Sequence, residues 1–308
     1  MRIVFMGTPQ YSVMTLAALF GAGHDIAAVF AQPDKPIGRK QILTPPATKV
    51  FAEKNNIPVY QPVTLRDGTA LEILKEINPD IIVVVAYGKI LPKEILDLPT
   101  YGCINGHASL LPKLRGASPI QWAIVTGEKQ TGVSVMQMDE GMDTGDILSS
   151  VTVDILSEDN SDTLFKKLAY VTADLICKTV TDIGNGEVTR FKQDETKATY
   201  APIIKKEMAH IDFQEDAEVI FNGVRGFFPW PVAFCFFGNK RLKIISAQIT
   251  NSKSGNPGEV VESGKKLVIA CGNGTSIELL KVQPEGGKVM SAVDFMRGNP
   301  IPVGTVLS

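Results

Sequence analysis

Three polar side chains of this 308-residue chain have the types and spacing to carry out chemistry: Asn105, His107 and Asp143. Asn105 and His107 lie two residues apart in CINGHASLLPKLRG, so in extended backbone their side chains point the same way. Asp143 lies in MQMDEGMDTGDIL, directly after a second apolar run. An amide donor, an imidazole and a carboxylate that orients it are the groups that acyl transfer uses. The three residues are therefore candidates for such a reaction.

A structural interpretation of the same residues stays open at this point. Asn105 and His107 could simply end a strand in a polar turn, and the carboxylates around Asp143 could be solvated. A calcium loop is disfavoured, because counting from Asp139 puts Thr144 where a glycine is needed and Ser150 where a carboxylate is needed. The acidic segment is thus either a solvated turn or part of a catalytic site.

The first part of the chain alternates short apolar runs with helical patterns. Strands are predicted at 2–7, 25–31, 57–61, 80–88, 102–106 and 132–138, and helices at 11–22, 46–54, 69–77 and 159–183. This alternation predicts an α/β, Rossmann-like fold, with a mostly parallel sheet and helices on both faces. Ligands of such sheets bind at the carboxyl ends of the strands. We therefore expect Asn105 and His107 at one strand end and Asp143 at the end of a neighbouring strand.

The pattern changes after a polar segment that begins near residue 184. From there, short strands are punctuated by Gly, Pro and Asn, which is typical of a small OB-like β-barrel. We therefore predict a first domain at 1–188, a linker at 189–205 and a barrel domain at 206–308.

Composition excludes several classes of protein. The net charge of −2 cannot hold a nucleic acid by bulk electrostatics, so such a partner must meet local basic patches. No apolar run approaches the roughly 20 residues of a membrane-spanning helix. The four cysteines form no C-x-x-C pair, and Gly7 is not followed by the glycines of G-x-G-x-x-G. We expect no membrane partner, no metal, no NAD and a cytoplasmic location.

A long segment of the chain carries a family resemblance. INGHASLLPKLRGASPIQWAIVTGEKQTGVSVMQMDEGMDTGDIL resembles the formyltransferase family that uses 10-formyltetrahydrofolate, and FMGTP, QPDKPIGRK, VVVAYGKILP and FFPWP extend the similarity over nearly the whole chain. The resemblance implies that Asn105, His107 and Asp143 are catalytic. It also implies four residues that contact the folate: Ser109, Leu110, Leu111 and Pro112. The sequence departs from the family at Gly106, which is commonly valine; a glycine there can loosen the strand end, but it removes no catalytic group.

The same resemblance implies the reaction and its partners. A formyl group would pass from 10-formyltetrahydrofolate, a cosubstrate, to the methionine amino group of initiator methionyl-tRNA, for translation initiation. An amino sugar nucleotide is the alternative acceptor, and a noncatalytic RNA-binding module is the alternative of another class. QPDKPIGRK, by composition a charged surface loop, would enter the acceptor end of the tRNA, where Lys35, Arg39 and Lys40 suit phosphate contacts. We expect the protein to be a monomer.

Overall fold

The computed structural model describes residues 1–38, 40–250 and 255–308. Its chain divides into two compact units. The first contains residues 1–119, 130–154 and 165–201, and the second contains residues 120–129, 155–164 and 202–308. Within the described residues, no helix combines the length and the apolar character that crossing a membrane requires.

A central sheet forms the first unit, and its strands follow most of the predicted runs. The strands of this unit are β1 (Arg2–Gly7), β2 (Asp25–Phe30), β3 (Lys35–Ile37), β4 (Ile42–Thr44), β5 (Val59–Tyr60), β6 (Ile81–Val85), β7 (Cys103–His107), β8 (Gln130–Gln137) and β9 (Ile147–Asp154). Seven of these strands, all but β3 and β4, make one sheet in the order β5-β2-β1-β6-β7-β8-β9. The pairs from β5 to β7 are parallel, whereas β8 and β9 are antiparallel additions. The predicted mostly parallel sheet is confirmed.

Helices cover both faces of this sheet, as predicted for a Rossmann-like fold. The helices of the chain are α1 (Gln10–Gly21), α2 (Ala47–Lys54), α3 (Thr69–Ile77), α4 (Lys93–Leu96), α5 (Pro119–Val125), α6 (Ser161–Asn185), α7 (Ala217–Gly226) and α8 (Ala292–Gly298). On one face, Tyr11 of α1 hydrogen-bonds to Thr172 of α6, with 2.6 Å between the hydroxyl oxygens. On the other face, α3 and α4 bury Leu74 and Ile95 against apolar residues that include Cys103 of β7.

Local sequence explains both the predicted and the unpredicted strands. All five residues of β6 are buried, as expected of an apolar, β-branched run with helices on both sides. The edge strand β9 was not predicted, because most of its residues are only partly buried or exposed. The segment predicted as a charged loop is instead the start of an antiparallel hairpin, β3 with β4. Pro36 is tolerated there, because a two-stranded ribbon leaves edge positions without ladder hydrogen bonds.

The second unit is built on an antiparallel sheet. Its strands are β10 (Phe234–Phe237), β11 (Lys240–Thr250), β12 (Val260–Glu262), β13 (Leu267–Ala270), β14 (Ser276–Pro284) and β15 (Met290–Ser291). They follow the order β10-β11-β14-β13-β12, with β15 on β14. Register shifts between Ile244 and Ala247 of β11 let the sheet curl around a core that α7 and α8 complete. This curled sheet agrees with the predicted small barrel domain.

Candidate functional site

Strand β7 places Asn105 and His107 on the face of the sheet that α6 does not cover. Gly106 lies directly against α6, because a Cβ at this position would be 2.7 Å from Cδ1 of Ile176 and 2.9 Å from Cγ2 of Thr172. Side chains alternate along a strand, so the two neighbours of Gly106 project together to the opposite side. The structure therefore brings Asn105 and His107 together as the spacing predicted.

Asp143 reaches His107 by a different route from the one expected. Strand β8 runs antiparallel to β7, with Gln137 opposite Ile104 and Ser134 opposite His107. The carboxyl end of β8 therefore lies beside the amino end of β7, and the expected meeting of two neighbouring carboxyl ends is wrong. The loop after β8 nevertheless brings Oδ2 of Asp143 to 3.6 Å from Nδ1 of His107.

The surroundings of His107 assign different roles to its two ring nitrogens. Nε2 lies 2.9 Å from the carbonyl oxygen of Leu114, which can only accept, so Nε2 carries a hydrogen and donates it. Nδ1 faces Asp143, and the two side chains are only 7% and 14% exposed. Proton exchange on the ring is thus left to Nδ1, and an imidazolium formed there would face a carboxylate.

Both groups that contact the His107 ring belong to residues with left-handed backbone. Leu114 has φ of 58° and Asp143 has φ of 56°. Such conformations are uncommon for residues other than glycine, and they persist only where surrounding contacts hold them. One such contact joins the two segments, because the backbone N–H of Gly116 donates to Oδ2 of Asp143 over 2.7 Å. Backbone conformations of this kind cluster at functional sites.

Asn105 has the freedom that a ligand-binding amide needs. Its side chain is only partly buried. Among residues 1–38, 40–250 and 255–308, none forms a hydrogen bond with its amide group. Since Asn105 shares its face of β7 with His107, this amide can donate to an oxygen atom of a molecule bound beside the imidazole.

The four residues from Ser109 to Pro112 form a turn that packs on β8. Ser109 is fully buried, and its hydroxyl donates to the carbonyl of Lys113 over 2.6 Å. The hydroxyl of Ser134 donates to the Ser109 carbonyl and accepts from the N–H of Leu111. The Ser109 hydroxyl is therefore used within the protein, and folate contacts by this turn stay a prediction.

A cavity that the sequence did not indicate lies in the first unit. Its volume is about 650 Å³, within the range of small-molecule sites. Apolar side chains such as Leu71 and Leu91 line it together with the cations Arg66 and Lys93. Glu140, three residues before Asp143, also lines the cavity. The acidic loop thus borders both the cavity and the His107 imidazole.

The matches to known families agree with this geometry. The family model described as Formyl transferase matches residues 1–180, and the model described as Formyl transferase, C-terminal domain, matches residues 203–300. The chain belongs to the formyl transferase family. Within this family, a methionyl-tRNA formyltransferase of Bacillus licheniformis is 47% identical over 308 residues, covering 99% of this chain and 98% of the relative.

Solved structures of more distant proteins show the same fold. An N-formyltransferase of Helicobacter canadensis, solved with folinic acid and dTDP-3-aminofucose, superposes with a TM-score of 0.70 at 21% identity and covers 91% of this chain and 98% of its own. HypX of Aquifex aeolicus, solved with tetrahydrofolic acid, gives a TM-score of 0.64 at 16% identity over 96% of this chain. The present chain spans 47% of the length of HypX.

The hairpin β3–β4 of this formyl transferase is anchored at its base. Asp34, which directly precedes β3, accepts from Nε2 of Gln61 over 2.7 Å and from Nζ of Lys49 over 3.0 Å. These hydrogen bonds, that of Gln61 foremost, hold the pKa of Asp34 below its usual value. Lys35 and Lys40 are exposed beyond this anchor, whereas Arg39 lies outside the described residues.

Proposed function

We propose that this protein transfers the formyl group of 10-formyltetrahydrofolate to the amino group of methionine on initiator methionyl-tRNA. The observation that carries the proposal is the full-length similarity, at 47% identity, to a methionyl-tRNA formyltransferase. The Asn105, His107 and Asp143 constellation supplies the groups that such an acyl transfer needs. We expect the enzyme to act as a monomer in the cytoplasm, during translation initiation.

The amino sugar alternative has weaker support. Its representatives, such as the Helicobacter canadensis enzyme, share 21% identity with this chain, which indicates a common fold and no more. The noncatalytic alternative is disfavoured by the His107–Asp143 contact and by an Asn105 amide that has no hydrogen-bond partner among the described residues, because an RNA-binding module needs neither. An aminoacyl-tRNA acceptor is therefore the better proposal.

The reaction is proposed to use the three side chains as follows. The methionine amine attacks the formyl carbon, and the carbonyl oxygen becomes an oxyanion to which the Asn105 amide donates a hydrogen bond. The attacking nitrogen becomes an ammonium and loses a proton to the His107–Asp143 pair. The pair returns this proton to the folate nitrogen as its bond to the formyl carbon breaks. The products are N-formylmethionyl-tRNA and tetrahydrofolate.

Donor and acceptor are proposed to approach from different parts of the first unit. The turn Ser109, Leu110, Leu111 and Pro112 remains the proposed folate contact, and Lys35, Arg39 and Lys40 remain the proposed tRNA contacts. The cavity beside the acidic loop offers a further volume for the donor, because its apolar walls suit a ring system; its charged lining pairs the cations Arg66 and Lys93 with the carboxylates Glu94 and Glu140.

Incubating the protein with 10-formyltetrahydrofolate and charged initiator tRNA tests this proposal. We expect formylmethionyl-tRNA and tetrahydrofolate in equal amounts, with no product from uncharged tRNA. An amino sugar nucleotide, offered in parallel, is expected to remain unmodified. Formylation of the sugar without formylation of the tRNA would instead favour an amino sugar nucleotide as the acceptor.

Changing Arg39 and Lys40 tests the acceptor role of the segment QPDKPIGRK. Replacing Arg39 and Lys40 by alanine is expected to weaken tRNA use without altering folate affinity, because the two cations are proposed to contact phosphates of the tRNA and not the folate. The salt dependence of tRNA binding should fall by up to about two counterions, each contributing roughly 0.7 to 0.9 to the log–log slope. Titrations at several salt concentrations measure this slope. The exposed Lys54 on α2, replaced by alanine, is a matched control, and an unaltered slope in the double variant would make the hairpin an ordinary surface segment.

A further inference from the structure

Arg115 is a fully buried cation that lies next to the His107 site. It directly follows Leu114, whose carbonyl binds His107. Its guanidinium donates two hydrogen bonds to Glu195, of 2.7 and 2.8 Å, and two to Oε1 of Gln193, of 2.7 and 3.1 Å. Hydrogen bonding to Glu195 raises the pKa of Arg115 above its usual value. A buried charge needs such partners, so Arg115 fixes the segment that carries Gln193 and Glu195.

The orientation of the Gln193 amide follows from this contact. A guanidinium can only donate, so the Oε1 of Gln193 must face Arg115 and the Nε2 must point away from it. Nε2 donates to the carbonyl oxygens of Asp143 and Gly145, each over 2.8 Å. The loop that carries Asp143 is therefore held on both sides of Thr144 by one side chain.

The same segment also holds the other residue that contacts His107. The hydroxyl of Thr199 accepts from the N–H of Leu114 over 2.9 Å, and the carbonyl of Thr199 accepts from the N–H of Arg115 over 2.9 Å. Leu114 and Asp143, whose groups face the His107 ring, both have left-handed backbone. Contacts from residues 193–199 thus fix both of them.

We propose that Gln193 and Arg115 are positioning residues that hold the Asp143 carboxylate against His107. Neither touches the reacting atoms, and both act through the backbone of the Asp143 loop. The inference rests on the proposed function for its kinetic consequence. Loss of the Gln193 donor lets the loop leave its left-handed conformation, so the proton-handling pair separates while the substrate contacts persist.

The variant Gln193→Glu separates this role from simple packing. A carboxylate at this position still accepts from Arg115, but it cannot donate to the carbonyls of Asp143 and Gly145. If the only role of Gln193 were to accept hydrogen bonds from the buried Arg115, Gln193→Glu would keep full activity. We expect Gln193→Glu and Gln193→Leu each to lower kcat about tenfold or more, with KM for both substrates changed less than twofold. Glu187→Gln, at an exposed position near the same segment, is the control and should match the unmodified enzyme.

A double variant tests whether the effect passes through Asp143. In an Asp143→Asn background, Gln193→Glu should cost less than a further twofold, because the group that it positions is already inactive. Wild-type kcat in Gln193→Glu, or losses that multiply in the double variant, would overturn the inference. Absence of turnover in the unmodified protein would count against the proposed function instead.

Hydrogen exchange gives a readout that does not depend on activity. The amide of Gly116 donates to Oδ2 of Asp143, so its exchange reports on the placement of this carboxylate. In the full-length Gln193→Glu protein, we expect exchange at Gly116 to be at least about tenfold faster, with unchanged exchange in β1 and β6. Unaltered protection of Gly116 would contradict the positioning role, whichever acceptor the enzyme uses.

Discussion

Replacing His107 by glutamine or Asp143 by asparagine is expected to lower turnover by about 10²-fold or more, and combining them should cost little beyond the worse single change. The reason is geometric, because Nδ1 of His107 is the ring atom left for proton exchange and it faces Oδ2 of Asp143 at 3.6 Å. A pair that handles one proton is inactivated by the loss of either member. Single-turnover formylation at saturating 10-formyltetrahydrofolate measures the loss of turnover in each variant.

The choice of Asp143→Asn removes the charge with little disturbance of the backbone. Asparagine tolerates a positive φ as well as aspartate does, and its carbonyl oxygen can still accept from the N–H of Gly116. Asn105→Ala is a useful comparison, since it should lower kcat more than folate affinity if its amide binds the oxyanion. Losses that multiply fully in the His107–Asp143 double variant would show that the two side chains act separately.

Replacing Gly106 by valine is expected to destabilise the protein by about 1–3 kcal/mol, the usual cost of overpacking. A Cβ at this position would be 2.7 Å from Cδ1 of Ile176 and 2.9 Å from Cγ2 of Thr172, so these side chains of α6 must shift to admit it. Urea unfolding, followed by the kcat of the folded variant, measures the cost. The shifted side chains lie against the strand that carries Asn105 and His107, so turnover should fall as well.

A compensating change tests the cause of this destabilisation. Ile176→Ala alone should cost about 2–5 kcal/mol, because it leaves a cavity. Together with Gly106→Val it should cost clearly less than the sum of the two, because the valine fills the space that the isoleucine leaves. Gly21→Ala is the control, because its added Cβ meets nothing within 4 Å. A Gly106→Val protein as stable as the original chain would show that α6 adapts easily.

Gly106 has a packing role that the sequence did not indicate. Its departure from the commoner valine suggested a looser strand end. In the structure it lets α6 approach β7 closely, with the side chains of Thr172 and Ile176 in the space a Cβ would need.

Short-range sequence patterns predicted most of the strands of the central sheet, and they predicted that Asn105 and His107 share one face of a strand. The apolar run of β6 and the alternation along β7 are local properties, so they placed the central strand and the shared face of Asn105 and His107. The edge strand β9 and the hairpin β3–β4 carry weaker patterns, because one is partly exposed and the other is short and contains Pro36.

Contacts between distant parts of the chain carry no local signal. Arg115 and Gln193 are 78 residues apart, and the segment around Gln193 is polar enough to be interpreted as a linker. The burial of the Arg115 guanidinium follows only from the folded structure, in which that segment covers it. The antiparallel pairing of β7 with β8 likewise depends on sheet order, so the route of Asp143 to His107 could not be predicted.

The alternation of the chain between its two units bears on how the protein is made. Residues 120–129 and 155–164 belong to the second unit, yet they are synthesised before most of it. Trp122 packs beside Phe227 and Phe234, and Ser161 donates to the carbonyl of Gly226 over 2.6 Å. These early segments can therefore complete their contacts only after residues beyond 202 have been synthesised. All residues of the first unit precede residue 202, so the second unit is the last to be completed, and two of its segments are synthesised within the sequence of the first.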